Sequence, residues 1–211
     1  MKKLIVVRHG YSVTNAAKRF TGQMDVALTD VGYAQAEAVA RYLLKNEKID
    51  RIYSSDLSRA VNTALPTAKA FGLPIYQLAG LRELGMGIWE GMLAEDVRAQ
   101  YQEILTARAK DATVPCPSGE SFKDMFDRVA AALDEVLASD ADTVMIVTHG
   151  GAFRCIDCMA DGGGFAEAQH HSNVDNASIN IFEIENGTWQ RTLYNYTDHL
   201  RNGDTADREL L

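Results

Sequence analysis

The sequence has few cysteines, no long apolar run and no excess of positive charge, and each shortage excludes a class of protein. Its 211 residues include three cysteines, an odd number that does not form a disulfide framework in a chain of this length. The longest apolar runs, residues 4–7 and 144–147, have the length of a strand and are too short to span a bilayer. Lys and Arg number 21 against 29 Asp and Glu, and the resulting formal net charge of −8 argues against a nucleic-acid partner.

What remains is the composition of a soluble globular protein. Apolar residues make up 46% of the chain and charged residues 24%, which excludes a disordered or collagen-like chain. The first residues resemble the start of a signal peptide, but Arg8 and His9 end the apolar stretch after four residues. Since no repeat or linker divides the sequence, we expect one domain over residues 1–211 and a cytoplasmic location.

Short apolar segments rich in β-branched residues alternate with longer segments of helical periodicity. The apolar segments predict strands at residues 3–7, 49–55, 73–78 and 142–148. The periodic segments predict helices at residues 30–45, 56–72, 94–110, 121–139 and 150–160. Two further segments, 178–185 and 188–196, alternate in polarity around Asn186-Gly187, a strong signal for a β-hairpin. The pattern predicts a three-layer α/β/α sandwich whose sheet is mostly parallel with an antiparallel edge.

Single residues predict where several of these elements begin, bend or end. Thr29 and Ser121 are expected as N-caps of their helices, and Gly72 as the stop of the helix before it. Pro66 is expected to kink or split the helix that contains it. The polar tail from residue 197 onward is expected to be irregular.

Two of the five histidines directly follow predicted strands, and each precedes a glycine. His9 lies between Arg8 and Gly10, and His149 precedes Gly150 at the expected start of a helix. Arg59 lies one turn into the helix that follows the strand at 49–55. Ligands of parallel α/β sheets bind outside the carboxyl ends of the strands, so these side chains are expected to converge.

The converging residue types fit a phosphoryl group. An arginine fork matches phosphate oxygens two at a time, and it stays protonated at all ordinary pH values. A helix that begins at Gly150 would direct free N–H groups at the same anion. A small phosphate ester is therefore the expected ligand.

The order of the motifs resembles one known family. The segments LIVVRHGYSVTN, FTGQMDVALTDVGYAQA, SSDLSRAVNTA, LRELGMGIWEG, PSGES and VMIVTHGGAFR occur in the order typical of the histidine phosphatase superfamily. That family includes the cofactor-dependent phosphoglycerate mutases, and the resemblance extends from about residue 3 to about residue 185. It implies a phosphoglycerate mutase-like fold and an enzyme that acts through a phosphohistidine.

The resemblance also implies a role for each matching residue. His9 would be the nucleophile, and Glu83 the proton donor and acceptor. The phosphoryl oxygens would be held by Arg8, Arg59 and His149. Contacts to the phosphate or to the substrate would come from Asn15, Thr21, Gly22 and Gly150.

Elementary chemistry supports these roles. A neutral imidazole is a competent nucleophile near pH 7, and nearby arginines lower the pKa of His9 and keep it neutral. Glu83 would protonate the leaving alkoxide and then, once ionised, activate water. Two guanidinium groups and a second imidazole can supply the positive charge that phosphoryl transfer needs, so no metal or other cofactor is expected.

Other residues in the same segments have competing interpretations. Glu90 shares a glycine-rich loop with Glu83, and its place in the motif indicates a structural role. Adjacent side chains point apart, so His170-His171 is a poor metal chelate and is expected at the surface or in a loop. Cys155 and Cys158 form a C-x-x-C pair inside a predicted helix, where buried core is favoured over a redox site.

Departures from the family pattern separate a phosphatase from a mutase. Tyr11, Ser12 and Thr14 stand where the family usually has other residues. The segment after Glu83, LGMGIWEGML, contains no cation, and no paired arginine precedes PSGES. A mutase needs extra positive charge to retain a doubly phosphorylated intermediate. We therefore expect a phosphomonoesterase, with a lid-like helical insertion around residues 84–120 over a less polar leaving group.

Two other functions stay open at this stage. One is a phosphoglycerate mutase, and the other is a non-catalytic protein that binds a phosphorylated ligand. The complete set of a nucleophile, a proton donor and phosphate-binding groups argues against the second, because binding alone does not need Glu83. The hairpin at the end of the chain also offers an edge to a second copy, which leaves a homodimer open.

Overall fold

A six-stranded sheet runs through the centre of the structure, a computed structural model that describes residues 1–201. Its strands are β1 (Lys2–Arg8), β2 (Arg51–Ser54), β3 (Ile75–Gln77), β4 (Thr143–Thr148), β5 (Ile179–Glu185) and β6 (Thr188–Tyr196). They lie in the order β3-β2-β4-β1-β5-β6. The first four strands are parallel to one another, β5 pairs antiparallel with β1, and β6 pairs antiparallel with β5. The predicted fold class, mostly parallel with an antiparallel edge, is confirmed.

Helices cover both faces of this sheet. They are α1 (Val13–Ala16), α2 (Asp30–Asn46), α3 (Ser58–Phe71), α4 (Ala94–Gln100), α5 (Gln102–Lys110), α6 (Phe122–Leu137), α7 (Gly150–Ala160) and α8 (Phe165–Ala168). Short 3-10 turns span Ala79–Leu81, Gly87–Trp89 and Asp198–Leu200. Within residues 1–201, none of the helices combines the length and the apolar character that a bilayer crossing requires.

Alternating side chains of the central strands form two separate apolar clusters. Leu4 and Val6 of β1 belong to the cluster that includes the buried faces of α6 and α7. Ile5 and Val7 point to the opposite face, into the cluster with α2 and α3. Because both faces of the strands are buried, these segments are apolar throughout, as expected for a parallel sheet between two helical layers.

The local signals at the ends of elements hold in the structure. The side chain of Thr29 accepts the N–H of Gly32, and Ser121 forms a capping box with Asp124. Gly72 ends α3 in the left-handed conformation, with φ of 67°. The turn between β5 and β6 also has positive φ at both central residues, 51° and 80°, as a type I′ hairpin requires.

One predicted helix is divided in two, and one of the two alternatives predicted for Pro66, a split helix, is absent. The segment 94–110 forms two helices instead of one, because the backbone of Tyr101 leaves the helical region while its ring packs 5.6 Å from Trp89. Pro66 does not split its helix, since α3 is continuous through it. There the loss of the proline N–H is tolerated in a helix whose buried face packs against the sheet.

Irregular segments contain more structure than the sequence indicates. The short helices α1 and α8 lie in segments for which no helix is predicted from the sequence. In the tail, the 3-10 turn at Asp198–Leu200 buries His199, whose Nε2 lies 3.1 Å from the carbonyl oxygen of Ala177. The rest of the predicted irregular tail, residues 202–211, lies outside the described residues.

The central strand β4 provides a test of the core. Ile146 is fully buried, so the Ile146→Ala variant should lose about 2–5 kcal/mol of unfolding free energy through lost burial and the cavity that remains. Leu44→Ala is the matched control, because Leu44 is 56% exposed on α2, and it should change stability by less than about 0.5 kcal/mol. Urea unfolding measures both, and equal losses would contradict the layered core.

Candidate active site

The pairing of β1 with β4 places two histidines side by side. Arg8 is in register with Thr148, and the next backbone N–H, that of His9, donates to the carbonyl of Thr148 over 2.9 Å. The imidazole rings of His9 and His149 lie 5.1 Å apart, and both residues are buried. The convergence predicted from the two strand ends is therefore present.

The hydrogen bonding of His9 fixes which ring nitrogen is free. Its Nδ1 lies 2.7 Å from the carbonyl oxygen of Gly10, and a carbonyl can only accept. Nδ1 therefore carries the hydrogen, and Nε2 of the neutral ring has an unshared electron pair. Burial, followed by the positive charges of Arg59 and Arg8, holds the pKa of His9 well below its usual value. The ring is thus neutral at ordinary pH.

His149 is oriented by a residue that sequence reasoning missed. Its Nε2 lies 2.8 Å from the hydroxyl oxygen of Ser55, which follows β2, the neighbouring strand on the other side of β4. Ser55 Oγ also accepts the N–H of Leu57, so its own hydrogen is free to be donated to Nε2. Burial and the charge of Arg59 lower the pKa of His149 well below normal. When Ser55 donates to Nε2, the hydrogen of the neutral ring is on Nδ1, which has no hydrogen-bond partner among the described residues.

Arg59 joins the loop before α2 to the two histidines. Its guanidinium is buried and donates to the carbonyls of Gly22 over 2.9 Å and Met24 over 2.8 Å. Burial lowers the pKa of Arg59, and the charges of Glu83 and Asp25 oppose this shift. Arg59 is thus a buried cation whose carbonyl partners carry no formal charge.

The side chain of Arg8, the last residue of β1, lies beside the start of helix α7. Its Nη1 donates to the carbonyl of Val174, and its pKa is lowered by burial against the opposing charges of Glu83 and Asp175. A Cβ atom at Gly150 would lie 3.5 Å from Arg8 Nε, so the guanidinium lies against the first turn of α7. Sequence reasoning placed Arg8 and Gly150 in one site, and the structure brings them together.

Glu83 is held by backbone N–H groups at the start of α7. The Gly151 N–H lies 3.1 Å from both carboxylate oxygens, and the Leu84 N–H donates to Oε1 over 2.9 Å. A Cβ atom at Gly151 would overlap Glu83 Oε1, so a larger residue there would displace the carboxylate from this position. Oε1 accepts from two backbone N–H groups, whereas Oε2 accepts only from the Gly151 N–H that it shares with Oε1. Oε2 is therefore the oxygen more available to a ligand.

Arg128 of α6 fixes the loop that carries Glu83. It donates to the carbonyls of Gly80, Arg82 and Glu83, over 3.0, 2.7 and 2.7 Å. It also forms a two-pronged ion pair with Glu120, with both distances 2.8 Å. Sequence reasoning missed this clamp, although Glu120 belongs to the motif PSGES, because a helical arginine without a local partner gives no signal.

The rival carboxylate, Glu90, has a structural environment. Its Oε1 accepts the backbone N–H groups of Gln23 over 2.9 Å and Met86 over 3.0 Å. It therefore joins the loop at 21–24 to the loop after Glu83. This geometry agrees with the structural interpretation made from the sequence.

Asn15 and Thr21 lie in the loop network beside His9. The side-chain oxygen of Asn15 accepts from Ser12, and it lies 3.4 Å from the amide nitrogen of Asn176. Asn176 in turn donates to the carbonyl of His9 over 3.0 Å. Thr21 reaches Thr14 through their hydroxyl oxygens, 2.6 Å apart. The side-chain groups of Asn15 and Thr21 thus stabilise the loops, and Asn176 is a positioning residue that the sequence did not reveal.

The assembled site is rich in hydrogen-bond donors that have no partner. Among residues 1–201, buried nitrogens without a hydrogen bond include Arg8 Nε, Arg59 Nε and His149 Nδ1. Leaving such donors unpaired in a buried place costs about 1–3 kcal/mol each. Several of them beside the N-terminus of α7 form an environment suited to an anion.

Other residues with alternative chemistries lie in two further environments. Cys155 and Cys158 are buried, and burial raises the pKa of both thiols, which agrees with core packing. His171, which follows α8, has its Nδ1 2.9 Å from Asp157 of α7, and with Asp161 these residues bring three potential metal ligands within 4.8 Å of one another. Asp157 and Asp161 are both paired with Arg191, over 2.7 and 3.1 Å, so a protein cation already balances these carboxylates.

Comparison with known proteins agrees with this geometry. The profile of the histidine phosphatase superfamily (branch 1) matches residues 4–197. The chain is 32% identical to phosphoglycerate mutase-like protein 4 of Arabidopsis thaliana over 204 residues, 94% of this chain and 86% of the relative. It is also 32% identical to a metal-independent phosphoserine phosphatase of that plant over 203 residues, 94% of this chain and 83% of the relative.

Solved structures show the same fold. A mycobacterial glucosyl-3-phosphoglycerate phosphatase in complex with VO3 has a TM-score of 0.85 and 28% identity, over 93% of this chain and 100% of that chain. The chain belongs to the histidine phosphatase superfamily. Since its relatives are phosphatases and mutases of that family, the expectation of a phosphatase-type enzyme is confirmed.

The buried neutral histidines predict how stability depends on pH. Below about pH 6.5 each histidine of the unfolded chain takes up a proton, whereas His9 and His149 in the folded protein do so only at much lower pH. The unfolded state then binds more protons, so the free energy of unfolding decreases as the pH falls. In His149→Gln this slope between pH 6 and pH 5 should be smaller by roughly 1 kcal/mol per pH unit. Urea unfolding at both pH values measures it, and an unchanged slope would contradict the exclusion of a proton from His149.

Proposed function

We propose that the protein hydrolyses phosphomonoesters by transferring the phosphoryl group to Nε2 of His9 and then to water. The observation that carries this proposal is the state of His9. Its ring is buried and neutral, and its Nδ1 hydrogen is donated to the carbonyl of Gly10, so Nε2 presents a lone pair. A binding protein for phosphate would be better served by a protonated imidazole, which donates from both nitrogens.

The charge of the transferring group is balanced by protein cations. Arg8 and Arg59 supply two guanidinium groups, and His149 and the Gly150 N–H supply further donors. Fixed donors in a dry site stabilise developing charge without reorganisation, which is the main requirement of phosphoryl transfer. The two buried guanidinium groups provide the charge that a divalent metal provides in other phosphoryl-transfer enzymes, so we propose a metal-independent reaction.

Two displacements complete the reaction. In the first, the Nε2 lone pair attacks phosphorus, the bond to the ester oxygen breaks, and that oxygen takes a proton from Glu83 Oε2. In the second, the Glu83 carboxylate takes a proton from water, the water oxygen attacks phosphorus, and the bonding electrons return to Nε2. Phosphate leaves, and Glu83 is again protonated for the next cycle.

The leaving group has a place beside Glu83. A pocket of about 320 Å³ is lined by Glu83 and Gly151 on one side and by Leu105 and Val114 on the other. We propose that residues 84–120, with helices α4 and α5, act as the predicted lid over this pocket. Its volume lies at the small end for ligand sites, so a leaving group of a few carbon atoms fits it.

The nucleophile is tested by His9→Ala with phenyl phosphate as substrate. The variant should lose roughly a thousandfold or more of the turnover number, because no other group can form the covalent intermediate. Rapid quenching of the wild-type enzyme in base should trap an acid-labile phosphoenzyme that the variant lacks. A chelator should leave wild-type turnover unchanged, and full activity of His9→Ala would remove His9 as the nucleophile.

A second candidate, a phosphoglycerate mutase, is favoured by the similarity to the mutase-like plant protein. It predicts isomerisation of 3-phosphoglycerate that is stimulated by the bisphosphate, with little release of inorganic phosphate. The phosphatase predicts the opposite balance between the two products. Measuring both from the same reaction decides between them.

The proton donor is tested by Glu83→Gln with two esters of different leaving groups. Alkyl phosphates should turn over about 100- to 10,000-fold more slowly, because the leaving alkoxide receives no proton. A dinitrophenyl ester needs no proton for departure, so the first step should survive and the phosphoenzyme should accumulate in a burst. The control is Glu90→Gln, which removes a structural carboxylate and should show no burst. A burst in the control, or none in Glu83→Gln, would contradict the assignment.

A further inference from the structure

The pocket beside Glu83 contains a guanidinium that the reaction above does not use. Arg154 lies on α7, one turn after Gly151, and both residues line this pocket. Arg154 ends the motif VMIVTHGGAFR, but neither the motif nor the apolar periodicity of α7 assigns it a role. Its position opposite the apolar lid places a positive charge where the leaving group of the substrate would lie.

Arg154 lacks the partners that other arginines around the site have. Its Nε is buried and has no hydrogen bond among the described residues. Burial lowers the pKa of Arg154, and the nearby carboxylate of Glu83 opposes this shift without cancelling it. By contrast, Arg108 on the other wall of the pocket donates to the carbonyls of Val114 and Glu120.

The orientation of Arg154 is fixed by an aromatic ring. Its guanidinium carbon lies 4.8 Å from the ring centroid of Phe122, which also lines the pocket. Stacking holds the plane of the fork and leaves its N–H edge unsatisfied. A guanidinium that is ordered, partly desolvated and unpaired is suited to bind an anion.

We propose that Arg154 forms a subsite for a carboxylate on the leaving group of the substrate. This inference rests on the proposed function and adds the substrate class: phosphate esters of small hydroxy acids. It replaces the expectation of a less polar leaving group, which was drawn from the lid segment alone. The apolar wall at Leu105 and Val114 contacts the carbon skeleton, while the acid group pairs with Arg154.

A carboxylate fits this subsite better than a second phosphate. One planar fork pairs with one carboxylate through two parallel hydrogen bonds and matches its single charge. A phosphate dianion would need another free cation, and the neighbouring Arg108 has its Nη1 engaged with two carbonyls. The amide side chains of Gln169 and Asn173 complete the polar side of the pocket without adding charge.

The experiment compares two esters that differ in one group. 3-Phosphoglycerate carries a carboxylate where glycerol 3-phosphate carries a hydroxymethyl group. The wild-type enzyme should hydrolyse the acid with a kcat/KM about 10- to 100-fold higher, the range of one charge-assisted hydrogen-bonded pair. In Arg154→Met this ratio should fall to about one, with kcat/KM for glycerol 3-phosphate changed less than about threefold.

Two further variants separate binding from structural support. Arg154→Lys keeps the charge but loses the planar fork, so it should retain part of the preference for the acid. Arg98→Met removes an exposed positive charge from α4 and should leave the ratio unchanged. Thermal unfolding of each variant shows whether the fold is intact, and the ratio of the two esters is independent of the amount of folded enzyme.

Distinct results would overturn the subsite and the proposed function. Equal kcat/KM for the two esters in the wild-type enzyme, or equal losses for both in Arg154→Met, would overturn the subsite alone. The second of these results would indicate that Arg154 acts through Glu83. Failure to release phosphate from either ester or from phenyl phosphate would overturn the proposed function and the subsite with it.

Discussion

The parallel pairing of β1 with β4 is the constraint on which the site depends. It fixes His9 and His149 at adjacent strand ends, with ring centroids 5.1 Å apart. A glycine follows each of these histidines. In the sheet, β4 lies between β1 and β2, although it comes late in the sequence. The two histidines, 140 positions apart, therefore meet only when the sheet forms. A slip of one strand by one residue in this pairing would turn its histidine to the other face and separate the pair.

The site concentrates positive charge in a buried place, and the fold must compensate for it. Burial lowers the pKa of Arg8 and Arg59, while Glu83 raises both, so this one carboxylate is shared by the two buried cations. The two histidines add no charge because the same burial and the same arginines keep them neutral. The site therefore has a deficit of negative charge that an anionic substrate fills, which links the free energy of binding to the stability of the empty protein.

The sequence was informative where short-range rules operate and silent where long-range contacts decide. The strand ends at His9 and His149, the caps at Thr29 and Ser121 and the turn at Asn186 each follow from a few neighbouring residues. Ser55, Arg128 and Arg154 act through partners that are 94, 45 and 32 residues away, which for Arg154 is Phe122. Neighbouring residues therefore do not predict their roles, although Ser55 and Arg154 lie within motifs of the family. The break at Tyr101 has the same origin, since its ring packs against Trp89 across a loop.

Helix α7 connects these features, because one short segment serves three chemical purposes. Its first N–H groups lie beside His9 and hold the carboxylate of Glu83, and its next turn carries Arg154 into the leaving-group pocket. A helix rises 5.4 Å per turn, so phosphoryl group, proton donor and leaving group are spaced along one rigid element. Rigid spacing on a helix is more accurate than on a loop, and it explains why the loop with Glu83 is tied to α7 and to Arg128. In the proposed reaction, substrate length would be measured against the backbone of α7, and the proposed lid would enclose what that helix selects.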